Sequence, residues 1–157
     1  MPLKRSKTWE AHPKRGAGGD FENYLKANRS RPFEWGQHDC CTSAANAIQS
    51  YTGIDIASDF RGKYSNLAGA LATIKTVTGG TTIADAAAWV ANKFGLVEWT
   101  HPLCAQRGDL VLLNQTVDGQ LETIAGVVHL NGSQVVCVND KGFVMHPHLA
   151  VVRAWKV

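Results

Sequence analysis

The order of residue patterns along the chain predicts an α+β fold, in which N-terminal helices pack on a C-terminal, curled antiparallel sheet. Apolar residues at helical spacing, often beside alanine, dominate the first hundred residues. After His101-Pro102 the pattern changes to short β-type runs separated by turn dipeptides such as Asp-Gly and Asn-Gly. The 157 residues have the length of one domain.

Capping and stop residues bound the predicted helices. Asp20 can cap a short first helix, which ends by Pro32 because the residue before a proline disfavours the helical conformation. The segment 33–38 is then expected to form a loop. Asp39 is the natural N-cap of the next helix. The three later helices are predicted over 40–51, 67–77 and 83–94.

Five strands are predicted in the second half of the chain, and the turns between them favour an antiparallel meander. The turn dipeptides are Asp118-Gly119, Asn131-Gly132 and Lys141-Gly142. The predicted strands cover 109–113, 123–130, 134–138, 143–146 and 151–157.

Residues 1–19 are polar and glycine-rich, which predicts a basic, flexible arm in front of a single domain over 20–157. Eight basic and three acidic residues precede residue 32, so this end carries a net charge of +5. Such an arm can contact an acidic partner or simply remain solvated. No basic groove interleaved with aromatic residues follows, so nucleic acid is not expected as a partner. Trp9 is a candidate anchor for a neighbouring subunit.

Composition argues against several classes of protein. No apolar run approaches the roughly 18 residues of a membrane-spanning helix, and the N-terminus lacks the apolar stretch of a secretory signal. We therefore expect neither a membrane span nor export. The four cysteines match neither a disulfide framework nor a zinc pattern, and His146 and His148 resemble a metal pair only superficially. We expect reduced thiols, no metal and no cofactor.

Cys40 is the residue that is best placed to carry chemistry. As the first residue of a helix that Asp39 caps, it lies near the partial positive charge and the free N–H groups of the helix start, which favour the thiolate. The alternative is a buried cysteine that acts as a small apolar side chain. That alternative is the interpretation for Cys41, Cys104 and Cys137.

Three motifs carry a resemblance to a known family. Residues 35–41 read Trp-Gly-Gln-His-Asp-Cys-Cys, 106–112 read Gln-Arg-Gly-Asp-Leu-Val-Leu, and 125–132 read Ala-Gly-Val-Val-His-Leu-Asn-Gly. Their order resembles the NlpC-type cell-wall cysteine peptidases. The chain is also similar to a small family encoded among phage tail genes, through Trp-Gly-Gln-His-Asp-Cys at 35–40, Arg-Gly-Lys-Tyr at 61–64 and Ala-Trp-Lys-Val at 154–157.

The NlpC resemblance implies a papain-like fold with Cys40 as the nucleophile, beside Asp39, and a histidine on a strand as its base. The family's His-Val-Gly strand matches 124–126, which places Ile124 where the histidine would stand. His129 is a poor substitute, because five residues separate it from position 124 and side chains alternate along a strand. His38 can either lie over the helix start or hold the backbone of its own loop.

Two further histidines and three other polar residues have open roles. His101 and His146 could also supply an imidazole, although His146 is expected at an exposed strand end. Asp109 is expected to stabilise a turn. Arg61 and Tyr64 either order a loop or face a substrate.

The resemblance implies two alternative functions. In the first, the chain is a structural component of a phage tail tip or baseplate with a catalytically degenerate site, made in the host cytoplasm and built into the virion beside hub or distal tail subunits. In the second, it is an active cysteine peptidase or amidase that cleaves peptidoglycan when the phage genome enters the cell. The absent strand histidine favours the first, and the Asp39-Cys40 pair favours the second.

Overall fold

The structure, a computed structural model, describes residues 3–11 and 18–157. Within those residues it has four α-helices and a six-stranded antiparallel sheet, so the predicted α+β class is confirmed. None of the helices in the described ranges is both long and apolar enough to cross a membrane.

The helices agree closely with the prediction. Asp39, Asn66 and Thr82 cap the second, third and fourth helices through their side chains. Each of these three helices ends at a glycine in the left-handed conformation, which a residue without a Cβ adopts at little cost. The four helices are α1 (Asp20–Asn28), α2 (Cys40–Thr52), α3 (Leu67–Thr78) and α4 (Ile83–Phe94).

The sheet contains the five predicted strands and one more, in the order β1-β6-β2-β3-β4-β5. Strands β2 to β5 form the predicted meander. The last strand crosses back to pair with β2 and β1, which local turn residues do not predict. The strands are β1 (Val97–Glu98), β2 (Leu110–Val117), β3 (Gln120–Val128), β4 (Gln134–Asn139), β5 (Gly142–Pro147) and β6 (Val151–Lys156).

Alternation along the central strands separates two apolar layers. Leu112 and Ala125 face the helices and pack in one core with Ile48 and Tyr51 of α2. Neighbouring residues on β2 to β4, such as Val128, point to the opposite face and form a second core with β6. Helix α2 is therefore fixed against β3, which places its first residue over the sheet.

Strands β3 and β4 are paired over a short length. Their register joins Val127 with Val136 and Val128 with Val135, and it goes no further. Beyond this point the two strands diverge, although β3 stays paired with β2 and β4 stays paired with β5. The divergence leaves an opening in the sheet beside the start of α2.

The described part of the N-terminal segment packs on the domain, in contrast to the predicted free arm. Ser6 N–H donates to the carbonyl of Tyr51 at 2.7 Å, and the rings of Trp9 and Tyr51 lie 6.0 Å apart. Trp9 thus anchors the segment within its own chain. Gly19 occupies the N-cap position of α1, so the prediction that Asp20 caps this helix is wrong: its carboxylate accepts from the hydroxyl of Ser6. Residues 1–2 and 12–17 of the predicted arm lie outside the described residues.

Asp109 joins distant parts of the chain through a carboxylate that is only 1% exposed. It accepts hydrogen bonds from the guanidinium of Arg5 at 3.0 Å, the indole of Trp99 at 2.8 Å, and the backbone N–H groups of Gln106 at 2.8 Å and Val157 at 3.1 Å. The bond from Gln106 closes the predicted turn. The other three show that this carboxylate also ties the N-terminal segment and the last strand to the sheet.

Replacing Asp109 tests this role. Asp109→Asn keeps the size of the side chain but sets an amide group against donors and leaves Arg5 without its buried partner. We expect the free energy of unfolding to fall by about 3 kcal/mol in urea titrations. Asp140→Asn, at an exposed turn position, is the control and should leave the urea midpoint near that of the wild type. Equal midpoints for the two variants would contradict the role given to Asp109.

Candidate functional site

The Asp39 carboxylate determines the geometry of the α2 start. One oxygen accepts from the N–H groups of Cys41 at 3.0 Å and Thr42 at 2.9 Å. The other accepts from Gly36 N–H at 2.9 Å and from the hydroxyl of Tyr64 at 2.5 Å. The Asp39 N–H in turn donates to Thr42 Oγ1 at 2.8 Å, which completes a capping box. The predicted N-cap is confirmed, and it is also the centre of a buried network.

The loop before Cys40 is braced by the Arg-Gly-Lys-Tyr segment. Gly36 has a φ of 77°, and a Cβ atom there would lie 2.6 Å from the carbonyl oxygen of Tyr64, so only glycine fits. Gly62 N–H donates to the Gly36 carbonyl at 3.0 Å, and Arg61 donates to the carbonyl of Gln37 at 3.1 Å. Of the two roles left open by the sequence, Arg61 and Tyr64 therefore have the loop-ordering one.

Cys40 is half-buried at the first position of α2, with its sulfur 3.8 Å from that of Cys41. The hydrogen bond with the Cys41 thiol lowers the pKa of Cys40, and backbone hydrogen bonds from Ala125 and Cys41 act in the same direction. Burial and the negative charge of Asp39 oppose this shift. The pKa of Cys41 is raised, because its proton is held by Cys40 and because burial disfavours a second charge. Cys40 is consequently the thiol of the pair that ionises first.

His38 points into the core and does not act on Cys40. It is fully buried, its Nδ1 lies 3.2 Å from the amide nitrogen of Asn46, and its ring packs against Phe143. The same amide of Asn46 donates to the carbonyl of Gln37 at 3.0 Å, so His38 helps to hold its own loop. Burial, aided by the positive charge of Arg31, lowers the pKa of His38 to about 4. The imidazole is therefore neutral at physiological pH.

The other candidate histidines are engaged elsewhere or lie apart from the thiol. His129 accepts from Asn131 N–H at 3.0 Å within the β3–β4 turn, and His101 accepts from Leu103 N–H at 3.2 Å. Burial lowers the pKa of His129. Among the described residues, no histidine hydrogen-bonds to the sulfur of Cys40.

A groove of about 650 Å³ opens beside Cys40, where β3 and β4 diverge. Ile124, at the position that the NlpC resemblance assigns to a histidine, is among the lining residues, although its apolar side chain packs against the second core on the face of the sheet opposite α2. His146 also lines the groove from β5 and is half-buried there, whereas the sequence places it at an exposed strand end. His146 and Val144 are two residues apart on β5, so the sequence alone could have placed them on the same face of that strand. The groove itself, however, depends on the divergence of β3 and β4, which the sequence does not show.

The remaining walls of the groove come from the loop before α2, from α3 and α4, and from strands β2 to β5. Apart from Asp39, the loop and the helices contribute apolar residues, whereas the strands contribute mostly polar ones. Its other lining residues are Phe33, Trp35, Asp39, Cys41, Leu67, Ala70, Leu71, Ile74, Ile83, Gln115, Glu122, Thr123, Val138 and Asn139. Within the part of the chain that is described, no three His, Cys, Asp or Glu side chains are grouped so that they could hold a metal ion.

The fold and site together define a class: an α+β protein that presents a helix-start thiol of lowered pKa to a groove, with no imidazole bonded to it among the described residues. A family model described as "Domain of unknown function (DUF6950)" matches residues 4–157, and the chain belongs to that family. The match includes the N-terminal segment that packs on the domain. No curated protein and no solved structure matches the chain.

The lowered pKa of Cys40 predicts a characteristic pH dependence of alkylation. Because only the thiolate attacks iodoacetamide, the midpoint of the rate profile should lie below the value of about 8.5 for a free cysteine. Cys41→Ala removes the thiol donor and should move the midpoint upward, whereas Cys41→Ser retains a hydroxyl donor and should move it less. Mass spectrometry of the Cys40 peptide, quenched at timed intervals, measures the rates. Identical midpoints in the wild type and Cys41→Ala would refute this origin of the shift.

Proposed function

We propose that this chain has a papain-like, NlpC-type fold and is a structural component of a phage tail tip or baseplate, in which the groove is a docking surface and no bond is cleaved. The observation that carries the proposal is the environment of Cys40: Ile124 lines the groove at the position of the expected base, and no described imidazole bonds to the thiol.

A thiolate without an imidazole lacks half of what amide cleavage requires. The sulfur can attack a carbonyl, but the departing amine must also receive a proton from a positioned acid, which in cysteine hydrolases is the imidazolium. Local hydrogen bonds stabilise the Cys40 thiolate, and among the described residues no imidazole is bonded to it. The described part of the site can therefore favour the thiolate, but it holds no imidazolium in position to protonate the leaving amine.

The stabilisation of an oxyanion is also weakened. The N–H groups at the start of α2 would be natural donors to a negatively charged tetrahedral intermediate. Those of Cys41 and Thr42 already donate to the Asp39 carboxylate. Since the carboxylate is itself charged and buried, withdrawing those donors would be costly. This arrangement suits a rigid helix start better than a reaction centre.

The papain-like assignment rests on the placement of the motifs. The cysteine begins a helix that packs on an antiparallel sheet, the Gly-Asp-Leu segment leads into β2, and the Ile-Ala-Gly segment lies on the adjacent strand β3, in the order of the NlpC-type family. The tail assignment rests on resemblance to the small phage family. Two of its motifs, at 35–40 and 61–64, brace each other directly.

One observation favours the second candidate, an active peptidase or amidase. His146 lines the same groove as Cys40, and catalytic hydrogen bonds that are absent in a free enzyme can form when a substrate binds. In that case Cys40 would attack a peptide carbonyl in peptidoglycan and His146 would carry the proton to the leaving amine.

Virions that carry either the wild-type chain or Cys40→Ala test both candidates in the assembled state. We expect mass spectrometry to detect the chain in purified virions of both kinds, because the thiol is not needed for assembly. We also expect neither kind, nor the purified chain, to release muropeptides from bacterial sacculi above background.

Two outcomes would contradict the proposal. Absence of the chain from purified virions would refute the tail assignment. Muropeptide release that is lost in both Cys40→Ala and His146→Gln would establish the hydrolase instead. His101→Asn serves as the control for histidine replacement, since it retains an acceptor for Leu103 N–H and lies outside the groove lining.

A further inference from the structure

The β3 strand has an outer edge that β4 leaves uncovered. On its inner side β3 is paired with β2 from Gln120 to Val127. On its outer side it is paired with β4 at Val127 and Val128 alone. Seven residues of β3, 120–126, therefore have no strand partner on the outer side among the described residues. An uncovered strand edge presents backbone donors and acceptors that can pair with another chain.

The hydrogen bonds of β3 with the segment before β2 show which backbone groups of β3 point toward its outer edge. Val128 donates to the carbonyl of Asp109 and accepts from Gly108 N–H, both in the segment that leads into β2. Because backbone groups alternate between the two sides of a strand, the N–H and C=O groups of odd-numbered residues before it face away from β2. The backbone hydrogen bond from Ala125 to the sulfur of Cys40 agrees with this alternation. The outward groups of Leu121 and Thr123 come next along the edge.

The free edge borders the groove, to which α3 contributes apolar residues. Thr123 and Ile124 line the groove on the strand side. Leu67 and Leu71 of α3 line it on the helix side and are 59% and 42% exposed. Together with Ile74 they give the groove an apolar side formed by α3. This combination fits an extended peptide, which uses its main chain on one side and alternate side chains on the other.

The charge of the groove limits the sequence of such a peptide. Its lining contains two carboxylates, Asp39 and Glu122, and neither lysine nor arginine. Asp39 already accepts four hydrogen bonds. Glu122 is exposed and lies between Leu121 and Thr123. It is therefore the carboxylate that is free to attract a basic side chain.

We infer that the groove binds an extended segment of another tail protein, which adds as a strand to β3 at Leu121 and Thr123. Apolar side chains of the segment pack on Leu67 and Leu71, and a lysine or arginine pairs with Glu122. This inference rests on the proposed structural function, and it names the kind of partner that the docking surface takes.

A random dodecapeptide library displayed on mRNA and selected on the full chain tests the inference. Enriched peptides should combine alternating apolar residues with a lysine or arginine, and their affinity is measured by fluorescence anisotropy. Thr123→Pro removes an N–H that faces away from β2, so the hydrogen bonds between β3 and β2 are kept. Proline is tolerated at such a strand edge. We expect it to weaken binding by about tenfold or more, the equivalent of about 1.4 kcal/mol.

Thr123→Val is the matched control. Both substitutions lose the hydroxyl that donates to Asn114 at 2.8 Å, but valine keeps the outward N–H. Binding should stay within about twofold of the wild type. Addition of a strand also predicts that hydrogen exchange at the N–H groups of Leu121 and Thr123 slows in the bound state.

Failure of the inference can be told apart from failure of the proposed function. Selection of no such peptides, or equal affinities for Thr123→Pro and Thr123→Val, would overturn the strand addition, whether or not virions release muropeptides from sacculi. Conversely, muropeptide release that depends on Cys40 would refute the structural role, while the effect of Thr123→Pro would still decide whether the β3 edge binds a peptide.

Discussion

The structure around the candidate site depends on the buried carboxylate of Asp39. Its four hydrogen bonds join the first turn of α2, the loop before it and the Tyr64 hydroxyl. A bond to a charged group contributes about 1.5–3 kcal/mol, and a charge that loses such partners inside a protein is strongly unfavourable. The position of Cys40 is therefore fixed by its neighbour in sequence, and the direction of its thiol into the groove follows from the start of the helix.

This arrangement separates thiol activation from acid–base chemistry. Backbone amides and the Cys41 thiol favour the Cys40 thiolate, while the charge of Asp39 opposes it. The nearest imidazole in sequence, that of His38, is buried against Phe143 and is kept neutral by desolvation. The Tyr64 hydroxyl keeps its proton, because burial and the Asp39 charge raise its pKa. Thus the polar groups around the thiol mainly maintain the loop and the helix start.

Much of the fold could be predicted because its determinants are local. Asp39, Gly53, Gly79 and Gly95 cap or end helices through contacts within a few residues, and the Asx-Gly turns fix the meander. The return of β6 to β2 and the packing of the N-terminal segment depend on Asp109, whose partners are up to 104 residues away. No local pattern encodes such contacts.

The candidate site shows the same division. The cap and the helix-start thiol could be predicted from adjacent residues, and Ile124 from a motif. The inward orientation of His38 could not, because it depends on Asn46 and Phe143, and neither could the groove position of His146, which depends on where β3 and β4 separate. Side-chain directions that are set by tertiary packing were thus the part that the sequence left open.

The central claim is that none of the imidazoles in the described ranges, 3–11 and 18–157, is coupled to the Cys40 thiol. Titration of the imidazole Cε1 protons by NMR, in the wild type and in Cys40→Ser, measures that coupling directly, since a thiolate near an imidazole would favour the imidazolium. The account predicts that the titration midpoint of each of these histidines is the same in both proteins. A midpoint that falls by about one pH unit in Cys40→Ser, at His146 above all, would contradict it and identify the base of a cysteine hydrolase.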